Sequence, residues 1–367
     1  MEWMSIAWMV AGLVLLTVGG ELLIRGASRL AAYVGMSPLV IGLTVVAYGT
    51  SAPELAVSLQ AGLQGNANIA VANVVGSNIF NILFILGLCA LVLPLTVDAQ
   101  LVRRDVPVMI AASLAVTGMA WDGRISRWNA AVLLASLALY TITALRAGRR
   151  ERAPVIDEYA DAYGQKPERS NLGLRVAGCL ALLVAGLALL ILGSRWFVDG
   201  AVQVARQLGV SDVVIGLTIV AAGTSLPEVA TSIIATLRKE RDIAIGNAIG
   251  SNICNLLAIL GVAGVATPGG LAVAPELLRL DIPIMLGVAL LCLPIFYNGY
   301  NITRRDGFLL FAGYVVYTLY LVLHAARSDL RLVVGKLALM AGVLATAFLL
   351  ALALRSFHLK RRIRPAG

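Results

Sequence analysis

Charged side chains are scarce along this chain. Asp, Glu, Lys and Arg make up 13% of its 367 residues, against about a quarter in a soluble domain. The shortage is uneven, because apolar runs of about 20 residues, each long enough to cross a bilayer core, recur over the whole length. A soluble fold is excluded. Histidine is nearly absent, and both copies, His324 and His358, lie outside the repeated segments described below. The four cysteines, Cys89, Cys179, Cys254 and Cys292, sit singly inside apolar runs without metal-ligand spacing and read as small buried hydrophobes. The opening MEWMSIAWMV lacks a basic region and a small-residue cleavage site, so it is expected to begin the first span.

Eleven spans are expected, near 3–24, 38–60, 67–93, 106–121, 127–146, 173–198, 212–237, 242–266, 278–297, 306–325 and 330–354. The one long polar stretch, about 147–171, separates five of them from six; its Asp157, Glu158 and Asp161 read as a solvated loop. The net charge of +9 could suggest a nucleic-acid partner, but the basic residues stand in short clusters between apolar runs. With the N-terminus outside, 21 of the 29 Lys and Arg residues fall on the inner side of alternating spans, as the positive-inside bias requires. The expectation is a multi-pass protein of the inner (plasma) membrane, N-terminus outside and C-terminus cytoplasmic, with the lipid bilayer as a partner and no nucleic acid. Oligomeric state is not legible.

The chain repeats itself at an offset of 174 residues. VIGLTVVAYGTSAPELAVSLQA (40–61) aligns with VIGLTIVAAGTSLPEVATSIIA (214–235), 15 of 22 positions being identical. IAVANVVGSNIFNILFILG (69–87) aligns with IAIGNAIGSNICNLLAILG (243–261), 12 of 19 being identical. Chance similarity between apolar helices would not place Gly, Thr, Ser, Pro, Glu and Asn in the same order without a gap. Five spans precede the second copy, so the copies cross the membrane in opposite directions. Such inverted repeats build their site at the interface, from interrupted helices. The predicted fold is an all-α polytopic membrane protein: a ten-helix core of two inverted five-helix repeats plus an extra C-terminal transmembrane helix. The expected parts are a first repeat at 1–146, a cytoplasmic loop at 147–171, a second repeat at 172–325, and the extra helix with a basic tail at 326–367.

Glu54 and Glu228 lie deep within spans. An acid at that depth costs at least about 2.5 kcal/mol on insertion scales and needs a partner, yet no Lys, Arg or His lies nearby in either block. A mobile cation or a proton is left to neutralise the pair. Pro53 and Pro227 precede the two acids and are expected to free carbonyls around Ala47–Thr50 and Ala221–Thr224 from the helix ladder. Thr50 and Thr224 stand one turn before the acids. Asn73, Ser77 and Asn81, and likewise Asn247, Ser251 and Asn255, recur every four residues as a polar stripe, with Gly76 and Gly250 allowing close helix approach. All of these ligands are oxygens, which suit Ca²⁺ and Na⁺ better than transition metals. Two carboxylates balance one Ca²⁺ or two Na⁺, and competition for them gives antiport. Ser51 and Ser225 lack a neighbouring His, Lys or Asp to serve as a base, which argues against a hydrolase. Asp105 and Asp281, each two residues before a proline, read as helix N-caps, and Glu21 with Arg25 as a helix-end salt bridge.

The segments GTSAPE and GTSLPE, followed by GSNIFN and GSNICN, resemble the two alpha-repeats of the sodium/calcium exchanger branch of the cation/calcium antiporter superfamily. The resemblance covers about residues 1–325 as a layout. It implies that Glu54 and Glu228 bind Ca²⁺ together with the Thr50 and Thr224 carbonyls. It also implies flanking Na⁺ sites using Ala47, Ser51 and Ser77 on one side and Ala221, Ser225 and Ser251 on the other, with the first helix of each repeat as a sliding gate. Many relatives carry an Asp in one copy at the position of Asn81 or Asn255. Both are Asn here, which argues against K⁺ dependence. The implied activity is Na⁺-driven Ca²⁺ antiport by alternating access, with Ca²⁺ and Na⁺ as transported ions and no cofactor. H⁺/Ca²⁺ exchange on the same scaffold stays open.

Overall fold

The structure, a computed structural model, describes residues 2–150, 172–326 and Gly335; the eleventh expected span and nearly all of the polar stretch at 147–171 lie outside them. Apolar sequence in lipid satisfies its backbone groups internally by forming helices. In the first half α1 is Glu2–Val34, α2 is Pro38–Thr50, α3 is Ala52–Leu63 and α4 is Ala67–Val92; α5 covers 101–119 and α6 is Arg127–Arg150. In the second half α7 is Leu172–Gln207, α8 covers 212–223 and α9 is Leu226–Leu237. Then follow α10, Arg241–Ala266, α11, Leu277–Tyr297, and α12, Arg304–Ala325. Helices α1, α4, α6, α7, α10, α11 and α12 are each long and apolar enough to cross a membrane, and α2 with α3, bent by 45°, forms a broken span. The protein is a polytopic helical membrane protein. At 33 and 36 residues α1 and α7 outrun the expected spans, because the helix continues past its first charged residues. At 1.5 Å per residue each is about 50 Å long, more than an untilted crossing needs.

The local breaks follow from sequence. Ser51 (φ −78°, ψ 5°) and Ser225 (φ −90°, ψ 8°) interrupt the two repeated spans, and Pro53 and Pro227 occupy the first turn of the helix that follows. A proline there loses no hydrogen bond, since a first-turn amide has no partner within the helix. Six π-helical turns among the described residues were not foreseen: Gly42–Val46, Asn81–Leu86 and Leu101–Asp105, and their counterparts Gly216–Val220, Asn255–Ile259 and Leu277–Asp281. Such wide turns collect at functional positions, and Asn81 and Asn255 each begin one.

Helices α1 and α7 are packed antiparallel along a glycine seam. A Cβ on Gly12 would meet Gly193 O at 2.7 Å, one on Gly19 would meet Gly186 O at 2.8 Å, and one on Gly26 would meet Cys179 O at 3.1 Å. The partner numbers fall as the first numbers rise, so equivalent helices of the two copies run in opposite directions. Two short antiparallel pairs tie the halves together: β1 (Leu95–Thr96) with β4 (Asn301–Ile302), and β2 (Arg124–Ile125) with β3 (Leu271–Ala272). If α2–α3 and α8–α9 each count as one crossing, β1 and β4 are six crossings apart, and β2 and β3 four. Paired strands then share a side, so the molecule has a β1–β4 face and a β2–β3 face.

One expectation is corrected. Neither Asp105 nor Asp281 caps a helix with its side chain, and both have helical backbone angles. Each instead accepts a hydrogen bond from a tyrosine about 35 residues on: Tyr140 to Asp105 at 3.2 Å and Tyr317 to Asp281 at 2.7 Å. The π turn carries the helix straight through the Asp, so no free N-terminus exists to cap. Glu21 and Arg25 do pair, at 2.7 Å.

Candidate functional site

The broken spans bring the two acids to the interface between halves. Glu54 and Glu228 are 0% and 1% exposed. Each meets the serine three residues before the other: Ser225 donates to Glu54 Oε1 at 2.8 Å, and Ser51 to Glu228 Oε1 at 3.3 Å. Ser77 joins through its hydroxyl, 3.3 Å from that of Ser225. The Thr224 hydroxyl lies near the Glu54 carboxylate without a well-formed hydrogen bond, and Thr50 lies near Glu228. Among the described residues no three His, Cys, Asp or Glu side chains converge, and no lysine or arginine is paired with either acid. Two carboxylates therefore face one another among neutral oxygens.

Several of those oxygens are buried without a hydrogen-bond partner: Glu54 Oε2, Glu228 Oε2, Asn81 Oδ1, Asn255 Oδ1, Thr224 Oγ1 and Ser251 Oγ. A buried acceptor left unpaired costs about 1–3 kcal/mol, and all six belong to residues singled out from sequence. Four are carboxylate or amide oxygens that can only accept, from a donor or a cation.

The asparagines divide by role. Asn73 donates to Glu54 O at 3.2 Å and Ser58 Oγ at 2.9 Å; Asn247 donates to Glu228 O at 3.4 Å and Ser232 Oγ at 2.9 Å. Both are committed to holding the acid-bearing helices, and Asn247 Oδ1 also receives Thr50 at 3.1 Å. Asn81 and Asn255 instead point their amide nitrogens across the interface, to Asn252 Oδ1 at 3.0 Å and Asn78 Oδ1 at 3.1 Å. Asn78 and Asn252 in turn donate to each other's backbone carbonyl, at 3.5 and 3.1 Å. The two reciprocal bonds close a small ring between Asn78 and Asn252, and Asn81 and Asn255 are anchored to it by their nitrogens, their carbonyl oxygens left without a hydrogen-bond partner. Sequence reading passed over Asn78 and Asn252. Their signal was present, since both recur in GSN at the repeat offset, but they lie off the stripe of residues 73, 77 and 81.

The two copies are not in the same state. Gly250 of α10 is pressed on α2, where a Cβ would lie 2.5 Å from Leu43 O, whereas Gly76 of α4 has nothing within 4 Å. Ile243 is fully buried while its equivalent Ile69 is 52% exposed; Val46 is fully buried while Val220 is 49% exposed. Ala47 is buried, its carbonyl taken by the Ser51 amide at 3.0 Å and the Thr50 hydroxyl at 3.3 Å rather than freed as expected; Ala221 is exposed. A shallow, open cleft of about 500 Å³ lies along Ala56, Leu59, Gln60, Leu63 and Gln64 on the surface of α3. The site is closed toward the β1–β4 face and loosened toward the β2–β3 face.

Comparison with known proteins agrees with this architecture. The family described as sodium/calcium exchanger protein matches the chain twice, over residues 4–146 and 179–323. Inner membrane protein YrbG of Escherichia coli is 36% identical over 321 residues, covering 86% of this chain and 95% of that one. Sodium/calcium exchanger MaX1 of Methanosarcina acetivorans is 33% identical over 341 residues, covering 85% and 97%. The solved sodium-calcium exchanger NCX_Mj, soaked with zero Na⁺ and Ca²⁺, superposes with a TM-score of 0.73 at 31% identity, covering 86% of this chain and 98% of that one.

Proposed function

The chain belongs to the sodium/calcium exchanger family, and from that premise we propose that it is a secondary antiporter exchanging Na⁺ for Ca²⁺ by alternating access. Family and fold are those of a transporter rather than an enzyme. The observation that carries the reading is the reciprocal pairing of Ser225 with Glu54 and Ser51 with Glu228, surrounded by buried acceptor oxygens that no protein donor satisfies.

In this reading Ca²⁺ takes Glu54 and Glu228 with the Thr50 and Thr224 oxygens, and Na⁺ takes the flanking sets Ala47, Ser51, Ser77 and Ala221, Ser225, Ser251. Asn81 and Asn255 offer their free carbonyl oxygens from either side. Hard oxygen donors and two formal negative charges fit one Ca²⁺ or two Na⁺, so each ion must leave before the other is held. The halves are 1–146 and 172–325, five spans each, joined by a cytoplasmic loop, with the N-terminus outside the inner membrane. The β1–β4 face is then cytoplasmic, and the loosened β2–β3 face is external.

The test is Ca²⁺ uptake into inverted membrane vesicles with an imposed Na⁺ gradient and clamped pH. Uptake that follows the Na⁺ gradient is expected; uptake only on a proton gradient would replace sodium by H⁺ as the driving ion. Asn255→Asp is expected to alter ion preference or the pH profile of exchange while leaving the fold intact, because the added carboxylate introduces a third titratable charge at the site. Selectivity and pH profile equal to wild type would make Asn255 structural.

A further inference from the structure

We propose that the two copies are held in unequal states by a latch on the β1–β4 face, composed of Tyr48 with Thr141 and of Glu21 with Arg238, whose repeat-related counterpart on the β2–β3 face cannot form. The proposal rests on the alternating-access reading and adds to it a resting preference and the residues that set it.

Tyr48 sits between Ala47 and Gly49, inside the segment proposed to carry ligands. Its hydroxyl lies 2.7 Å from Thr141 Oγ1 on α6. Thr141 gives its single proton to Leu137 O at 2.8 Å, so the tyrosine is the donor. The contact fastens α2 to α6, and Gly148 of α6 adds close packing on Val40 of α2. At the offset of the repeat, Tyr48 becomes Ala222, which has no hydroxyl. The threonine has its counterpart in Thr318, one residue after Tyr317 as Thr141 is one after Tyr140. The acceptor is thus duplicated and the donor is not. In the second copy the tether runs elsewhere: Ser194 of α7 donates to Gly223 O of α8 at 2.5 Å, tying α8 to a helix of the α1–α7 pair.

The second element joins α1 to the end of α9. Glu21 accepts from Arg238 Nε at 2.5 Å and from Arg25 Nε at 2.8 Å. The repeat equivalents of Glu21 and Arg238 are Arg195 and Gln64, a pair without opposite charge. Gln64 lines the cleft along α3. Both elements of the latch therefore act on the face where α2 is pressed against α10, and both are lost by substitution where α8 stands away from α4. At repeat-related positions, Tyr48/Ala222 and Glu21/Arg195 are differences that add a polar contact on one face alone. The latch makes the state open toward the β2–β3 face the resting one.

Thiol accessibility tests this without reference to transport. Val46→Cys and Val220→Cys report on equivalent positions of the two faces, in a background without the four native cysteines, all of them buried. In ion-free membranes, N-ethylmaleimide is expected to label the Val220→Cys protein quickly and the Val46→Cys protein slowly. Adding Tyr48→Phe, which removes only the hydroxyl, should raise labelling at position 46 about fivefold, the equilibrium shift that one lost hydrogen bond gives. Glu21→Gln should act in the same direction, and the charge swap Glu21→Arg with Arg238→Glu should restore protection. Labelling at position 46 unchanged by both single substitutions would overturn the latch, even if Na⁺-driven Ca²⁺ uptake is intact. Absence of that uptake with the labelling pattern as expected would count against the exchange reading and leave the latch standing.

Discussion

Glu54→Gln and Glu228→Gln are each expected to abolish Ca²⁺ exchange while the protein still inserts and purifies as a monodisperse species. Glutamine keeps the shape and the acceptor oxygen that the cross-repeat serine needs, at Ser225 for position 54 and Ser51 for position 228. It removes one of the two charges. A unit charge pair 4 Å apart is worth about 4 kcal/mol at an effective dielectric of 20, and a divalent ion would lose roughly twice that. A fall in Ca²⁺ affinity of about a thousandfold or more follows, since each 1.4 kcal/mol is about tenfold. Folding should tolerate the change, because a neutral amide is cheaper to bury than a carboxylate. The measurement is ⁴⁵Ca²⁺ flux in reconstituted vesicles, and robust flux from either variant would refute the assignment of the pair.

That pair was legible in sequence for a physical reason. A carboxylate deep in an apolar run has few explanations, and one that recurs behind Gly-Thr-Ser and proline has fewer. The polytopic helical fold and the antiparallel sense of the repeat were legible on the same footing, because composition and parity dictate them. What sequence missed are features that depend on where a helix turns. Asp105 and Asp281 read as caps because a proline follows two residues later, but a π turn runs through each and hands the carboxylate to a tyrosine on another helix. Gly76 and Gly250 look identical in sequence, yet one is packed and the other open, since a sequence repeated twice cannot say which copy is closed. Only departures from the repeat, such as Tyr48 facing Ala222, hold that information.

Asn252→Leu is the second substitution expected to have a large effect, although Asn252 is not among the proposed ion ligands. Leucine fills a similar volume but leaves the Asn81 amide without Asn252 Oδ1 and the Asn78 carbonyl without its donor. Asn252 is 2% exposed, so water cannot readily replace those bonds, and each unpaired group costs about 1–3 kcal/mol. Two consequences follow. Thermal stability in detergent should fall, and Asn81, its NH2 no longer held by Asn252 Oδ1, should turn to donate to another acceptor. Its carbonyl oxygen would then lose the orientation proposed for ion contact, and Ca²⁺ affinity should drop by about tenfold, the equivalent of one lost contact of about 1.4 kcal/mol. Asn78→Leu should match it through Asn255, because the ring exchanges the same bonds under the repeat. Stability lost with Ca²⁺ affinity retained would reduce the ring to a structural clamp between α4 and α10. Loss of both would establish that the two halves orient each other's ligands, so that neither repeat carries a complete site alone.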